Sequence, residues 1–284
     1  MLEFLPDETE VLLWNGNNVP YLMQNVLGNT ADHELLKVID MSNNKIEEIS
    51  GQAFHKVGSV EILILNHNDL RISGEQSHPR LLTNFYSLKE LHLINAFTEL
   101  IDSKYYLDDL FTILLTSADE GNTALKKLHL EQNEIWDISR QFFCSDDVIP
   151  SLSHLYLSDN QLQDLNFEFE CIKNLEFLDV SYNKIKRLSN TTLDRIEKFF
   201  HKTQTSGQSA RALELSENPF VCDCYLRPMI DWLKSTSANI HRSNSVRCFT
   251  GSPDTNAGNF TFSHFDRKHT TFPPISIFQG GQQK

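Results

Sequence analysis

The chain has 284 residues, 40% of them hydrophobic, and a formal net charge of −13. A chain of this length holds one extended domain and no second globular one. The acidic balance argues against nucleic acid, whose phosphates call for a basic footprint, and against electrostatic docking on anionic lipid. No run of 18 or more apolar residues is present, so no direct membrane insertion is expected within it.

The opening Met1-Leu2-Glu3-Phe4-Leu5-Pro6-Asp7 has no basic n-region and no apolar core, so it is not a signal peptide. No cysteine cap precedes the first repeat, although the exposed end of a repeat array needs one. The N-terminus of the native product, signal peptide included, is therefore expected to be missing; the alternative is a cytosolic protein.

From Leu12 onward one template recurs, L-x-x-L-x-L-x-x-N-x-L. A weak copy, Leu12, Trp14, Asn17 and Val19, comes first. Leu36, Ile39, Met41, Asn44, Ile46 and then Val60, Leu63, Leu65, Asn68, Leu70 are clean matches. Leu88, Leu91 and Leu93 follow, with Ala96 where the asparagine belongs. Three more clean copies are Leu125, Leu128, Leu130, Asn133, Ile135; Leu152, Leu155, Leu157, Asn160, Leu162; and Leu175, Leu178, Val180, Asn183, Ile185. Leu213, Leu215, Asn218 and Phe220 close the series. The asparagine positions are 17, 44, 68, 133, 160, 183 and 218, with 96 in the gap, so two spacings are long, 37 after position 96 and 35 after position 183. Both extra stretches read as helices: Tyr105 to Ser117 puts Leu107, Leu110, Phe111 and Leu114 on one face, and Thr191 to His201 does so with Leu193, Ile196, Phe199 and Phe200.

The template is identified as the leucine-rich repeat pattern. It implies an α/β solenoid, a horseshoe of about eight coils with a concave parallel sheet and helical insertions on an irregular convex side. One repeat cannot bury its own apolar face, so each depends on stacking. The inward asparagines are expected to satisfy backbone groups where the chain turns off each strand. Ala96 lacks that amide, so the coil there should be irregular.

After Asn218 the repeat gives way to Asn218-Pro219-Phe220-Val221-Cys222-Asp223-Cys224, then a helical stretch with Leu226, Met229, Ile230 and Leu233 on one face and Trp232 at its edge. This resembles the cysteine-rich C-terminal cap of extracellular leucine-rich repeat proteins such as Toll-like receptors, Slit, Kekkon and trophoblast glycoprotein. The resemblance implies a disulfide between Cys222 and Cys248. It also implies a fourth cysteine about twenty residues later; Phe265, Asp266 and Arg267 stand there instead, which leaves Cys224 without its family partner. A metal reading of Cys222, Cys224 and Cys248 needs a fourth ligand such as His241 or His264, and C-x-C spacing is poor for zinc, so no metal is expected. The implied domains are repeats over 1–218, a cap over 219–266 and a tail over 267–284.

Cys144 and Cys171 hold equal positions in successive repeats, beside Phe143 and Phe169. The favoured reading is two buried thiols acting as small apolar groups; a disulfide between coils is the alternative. Two glycosylation sequons begin at Asn190 and Asn259, Asn190 being alternatively a helix N-cap.

No catalytic or cofactor motif is found. The outward strand positions can be read in two rows. The third gives Val11, Val38, Ile62, Glu90, Lys127, His154, Phe177 and Ala212; the fifth gives Leu13, Asp40, Ile64, His92, His129, Tyr156, Asp179 and Glu214. With rungs about 4.8 Å apart, His92, His129, His154, Tyr156 and Phe177 form one patch, with Lys127 a further contact residue of the concave face, and Val38, Ile62 and Ile64 an apolar patch. Such groups on a rigid face serve as anchors for a protein ligand or receptor. The expected function is extracellular protein recognition, adhesion or signalling without catalysis, at the cell surface or secreted. The alternatives are an intracellular scaffold or adaptor and a structural matrix protein.

Overall fold

The computed structural model describes residues 5–28, 33–72, 78–122, 124–138, 144, 149–166, 168–201 and 211–249, with the backbone of 259–261. Nine parallel strands form one sheet in chain order: Val11–Leu13, Val38–Asp40, Ile62–Ile64, Glu90–His92, Lys127–His129, His154–Tyr156, Phe177–Asp179, Ala212–Glu214 and Asn239–His241. Each has three residues with the middle one turned inward, and register runs unbroken through Leu12, Ile39, Leu63, Leu91, Leu128, Leu155, Leu178, Leu213 and Ile240. Eight strands come from the repeats. The ninth comes from beyond Cys224, where the template has ended.

Behind the sheet the leucines of all coils merge into one core, backed by Phe54, Phe85, Phe169 and Phe200. Phe54 and Phe85 meet edge to face at 5.3 Å. Full burial of one such side chain contributes roughly 1.5–3 kcal/mol, and here every contribution needs the coil above and below.

The inward asparagines form a ladder. Asn160 Nδ2 donates to the carbonyls of Leu130 at 2.9 Å and Leu157 at 3.1 Å, while its Oδ1 accepts from the N–H groups of Asn133 and Ile135, both at 2.9 Å. Asn44, Asn68, Asn133, Asn183 and Asn218 repeat the pattern. Just before each ladder position the chain passes through the left-handed region, at Gly16, Asn43, His67, Asn95, Gln132, Asp159, Tyr182 and Glu217. For a residue with a Cβ that conformation costs about 1 kcal/mol, and the ladder holds it in place. At Ala96 the missing amide is replaced in part by backbone, Leu70 N–H donating to the Ala96 carbonyl at 2.8 Å, and nearby the Asn66 side chain accepts from Ile94 N–H at 2.9 Å. The ladder is irregular there, as expected, but strand register is not disturbed.

The helical insertions run from Ser103 to Asp119 (α1) and from Asn190 to Phe200 (α2), one or two residues displaced from the predicted ends. Asp102 caps α1 by accepting from Lys104 N–H. Ser189, not Asn190, caps α2, accepting from Thr192 N–H; Asn190 stands exposed in the first turn. A third helix, Arg227–Ser235 (α3), turns Met229, Ile230 and Trp232 inward, with Leu226 buried just before it and Leu233 half-buried.

Two disulfides are present. Cys222–Cys248 is the pair the cap resemblance implied, with Cα atoms 5.2 Å apart beside the parallel pairing of Phe220–Val221 with Cys248–Phe249. Cys144–Cys171, with Cα atoms 4.8 Å apart, corrects the expectation of two free apolar thiols. Equal positions in adjacent coils lie one coil spacing apart, within the 4.4–6.8 Å that a disulfide spans. Cys224 is free and exposed. Phe143, His264, Phe265, Asp266, Arg267 and the tail 267–284 lie outside the described residues.

Glu197 on α2 ties the end of the solenoid together. Its carboxylate accepts from Trp232 Nε1 at 2.9 Å, Ser237 N–H at 3.1 Å and Ser237 Oγ at 2.6 Å, and from the Thr236 hydroxyl. Burial pushes its pKa up, but these donors outweigh burial and hold it at about 2.

Two outcomes follow. Asn160→Ala would orphan two buried N–H groups and is expected to lower stability by about 3 kcal/mol, read as a shift in the urea midpoint. An Asn160→Ala midpoint equal to wild type would remove the ladder's energetic role. Glu197 has a folded pKa below its unfolded 4.5, so its stabilisation is complete above that value and fades as pH falls toward 2. Glu197→Gln should therefore flatten the acid side of the melting-temperature profile, followed through Trp232 fluorescence.

Candidate functional site: the concave face

The nine residues singled out on the sheet are brought together on one surface. Their side chains alternate outward because each strand's middle residue is locked in the core. His92 and His129 stack with ring centroids 4.1 Å apart and planes 9° from parallel, and His129 stacks on Tyr156 with the same distance and angle. Phe177 continues the series, 5.6 Å from Tyr156 and 6.1 Å from His154. Val38, Ile62 and Ile64 lie half-buried on the two preceding strands, and Ile64 pairs with His92, so the apolar and aromatic patches are continuous.

Acids and a base surround the rings. His92 Nε2 lies 3.4 Å from Glu90, and Lys127 Nζ pairs with Glu90 at 2.8 Å. His129 Nδ1 lies 2.9 Å from Glu131, whose other oxygen, Oε2, is buried without a hydrogen-bond partner. Burial and the neighbouring His129 ring push the His92 pKa down. Burial likewise pushes the Tyr156 hydroxyl up. At neutral pH His92 is therefore an uncharged, stacked ring, able to meet apolar as well as polar groups.

Sequence reasoning missed part of this surface. Glu131 sits two residues past the fifth position and had no row of its own. His241 extends the fifth row from the ninth strand and meets Phe177 edge to face at 5.8 Å. Together with Arg242 it covers the fully buried Glu214 carboxylate, at 2.7 and 3.0 Å. No leucine template marks that strand, so its register was invisible beforehand. Among the described residues no group of three His, Cys, Asp or Glu side chains is arranged to hold a metal ion, and no helix is long and apolar enough to cross a membrane.

Residues 30–70 and 123–185 match the leucine-rich repeat family. Trophoblast glycoprotein of Macaca fascicularis is 27% identical over 242 residues, covering 82% of this chain and 53% of that protein. Human lumican is 29% identical over 159 residues, covering 54% of this chain and 39% of lumican. The chain thus spans about half the length, or less, of the curated relatives it matches. The crystal structure of human trophoblast glycoprotein, also titled Wnt-activated inhibitory factor 1, superposes with a TM-score of 0.74 at 25% identity, covering 93% of this chain and 88% of that one. On its repeats, its parallel sheet and its disulfides, the chain has the fold of a leucine-rich repeat solenoid and is similar through most of its length to trophoblast glycoprotein.

Proposed function

We propose that the chain is an extracellular protein-binding module of a secreted or cell-surface protein, and that it grips its ligand with the concave face. One observation carries the proposal: the stacked His92–His129–Tyr156 row with Phe177 beside it, partly exposed on a sheet whose strands pair in unbroken register. Aromatic groups held in place this way lose little entropy on binding and serve as interface anchors. Val38, Ile62, Ile64, Lys127 and His154 widen the contact.

The extracellular assignment is supported by the two disulfides, which persist in oxidising compartments and are rare in the cytosol. That consideration ranks the intracellular scaffold second. The domain division at 218 and 266 and sugar attachment at Asn190 and Asn259 belong to the same reading. Asn190 suits it in being exposed, with the capping of α2 left to Ser189.

The test has two arms. Thiol titration of the denatured, unreduced chain should find one free thiol of the five cysteines; five would end the extracellular assignment. His129→Ala with Tyr156→Ala should weaken binding to cell-surface receptor ectodomains, displayed as an array, by about tenfold or more, with an unchanged melting temperature. Unaltered affinity would move the interface elsewhere.

A further inference from the structure

Along the fifth row of the concave face the rings stop at Tyr156. The next two rungs carry Asp179 and Glu214, and a ring returns only at His241. Glu214 is folded beneath the surface, fully buried under His241 and Arg242. Asp179 therefore stands between Tyr156 and His241 as a step down in the row. Phe177 flanks that step, 5.6 Å from Tyr156 and 5.8 Å from His241. We propose that the step receives an arginine side chain of the protein ligand, its guanidinium laid against Tyr156 and paired with Asp179. This rests on the concave-face reading above and names the chemistry of what that face grips.

Three observations carry it. The first is an unpaired oxygen. Asp40 and Asp179 hold the same row position and the same turn: Oδ1 of each accepts from the N–H of the serine two residues on at 2.9 Å and from that serine's hydroxyl at 2.6 Å. They differ at the second oxygen. Asp40 Oδ2 accepts from Asn15 Nδ2 at 3.3 Å, whereas Asp179 Oδ2 has no donor among the described residues. Asp179 is half-buried rather than enclosed. A partly desolvated carboxylate oxygen without a donor gains from a charge-assisted hydrogen bond.

The second is the sign of the surroundings. The charges that reach Asp179 are those of Glu214 and Glu131, both acids. Lys127 and Arg242, the bases on either side, are already held by Glu90 at 2.8 Å and by Glu214 at 3.0 Å. An incoming cation is attracted there and an anion repelled. A second copy of this chain, itself of charge −13, is repelled overall, so the occupant is a different, basic protein.

The third is an available ring face. His129 covers one face of Tyr156 at 4.1 Å. That stack runs along the sheet, so the opposite face looks toward the rung of Asp179. A planar guanidinium lies on an aromatic face while its N–H groups reach a carboxylate. The chain makes this pairing within itself at the cap, where Arg187 lies over the Tyr225 ring at 5.5 Å and pairs with Asp223.

The test uses the whole oxidised chain with acetyl-Gly-Arg-Gly-amide and, as a neutral isostere, the same peptide with citrulline. Isotope labelling of the seven tyrosine rings lets NMR follow Tyr156, whose signal is identified by its loss in Tyr156→Phe. The expected result is a saturable shift with the arginine peptide, weakened by added salt and absent with citrulline. Asp179→Asn, which keeps the Ser181 bonds through its amide oxygen, should weaken binding by about fivefold or more with an unchanged melting temperature. Asp40→Asn removes the same charge from the same row and should leave affinity as it is. No saturable shift, an equal response to citrulline, full affinity in Asp179→Asn or an equal loss in Asp40→Asn would overturn the proposal. The citrulline comparison needs no variant and decides alone if Asp179→Asn folds poorly. The concave-face reading is judged separately, by His129→Ala with Tyr156→Ala against receptor ectodomains: lost binding there with full affinity in Asp179→Asn keeps the face and removes the arginine.

Discussion

The fold depends on how the chain leaves each three-residue strand. A strand that short must turn immediately, and the turn leaves N–H and C=O groups facing a dry interior. Unpaired, each would cost free energy comparable to what a buried leucine contributes. The asparagine amide offers donors and an acceptor at once, so one side chain serves its own coil and the coil before it. This is why the ladder joins coils rather than stabilising each separately, and why an isolated repeat has nothing to fold against. The left-handed residues obey the same constraint. Asn43, His67, Gln132, Tyr182 and Glu217 have no chemistry in common, but each sits one position before the ladder.

Stiffness of the concave face follows directly. Because Leu91, Leu128, Leu155 and Leu178 stay in register, the outward residues beside them are fixed to the strand spacing of about 4.8 Å. His92, His129 and Tyr156 lean to a separation of 4.1 Å within that frame and stack. The loss of the amide at Ala96, in the same coil as His92, does not reach them, since Asn133 still binds Ala96 N–H at 2.9 Å and the Leu93 carbonyl at 2.6 Å. A break in the ladder is absorbed at the edge of the sheet and leaves the face intact.

The pattern of leucines made most of this legible in the sequence: coil number, helical insertions and both outward rows follow from period alone, because only one spacing stacks. What stayed hidden has a common physical character. Cys144 and Cys171 look like small apolar residues by type, and only the closeness of adjacent coils decides that they bond. The strand Asn239–His241 pairs with Ala212–Glu214 because a sheet edge was available, not because its residues announce a strand.

Charge is placed on the surface in a way that composition alone conceals. Along the sheet's edge Lys37, Glu61 and Lys89 alternate, with Lys89 2.7 Å and Lys37 3.9 Å from Glu61, and Lys127 lies 2.8 Å from Glu90. Ion pairs this exposed contribute little stability, on the order of 0–1 kcal/mol. Each base near the rings already has an acid, and Asp179, whose pKa burial and then the neighbouring Glu214 and Glu131 charges push up, adds further negative charge beside them. A chain of charge −13 thus carries part of its excess negative charge on the ring-bearing face itself, where it would favour a partner that brings basic groups to the stacked rings.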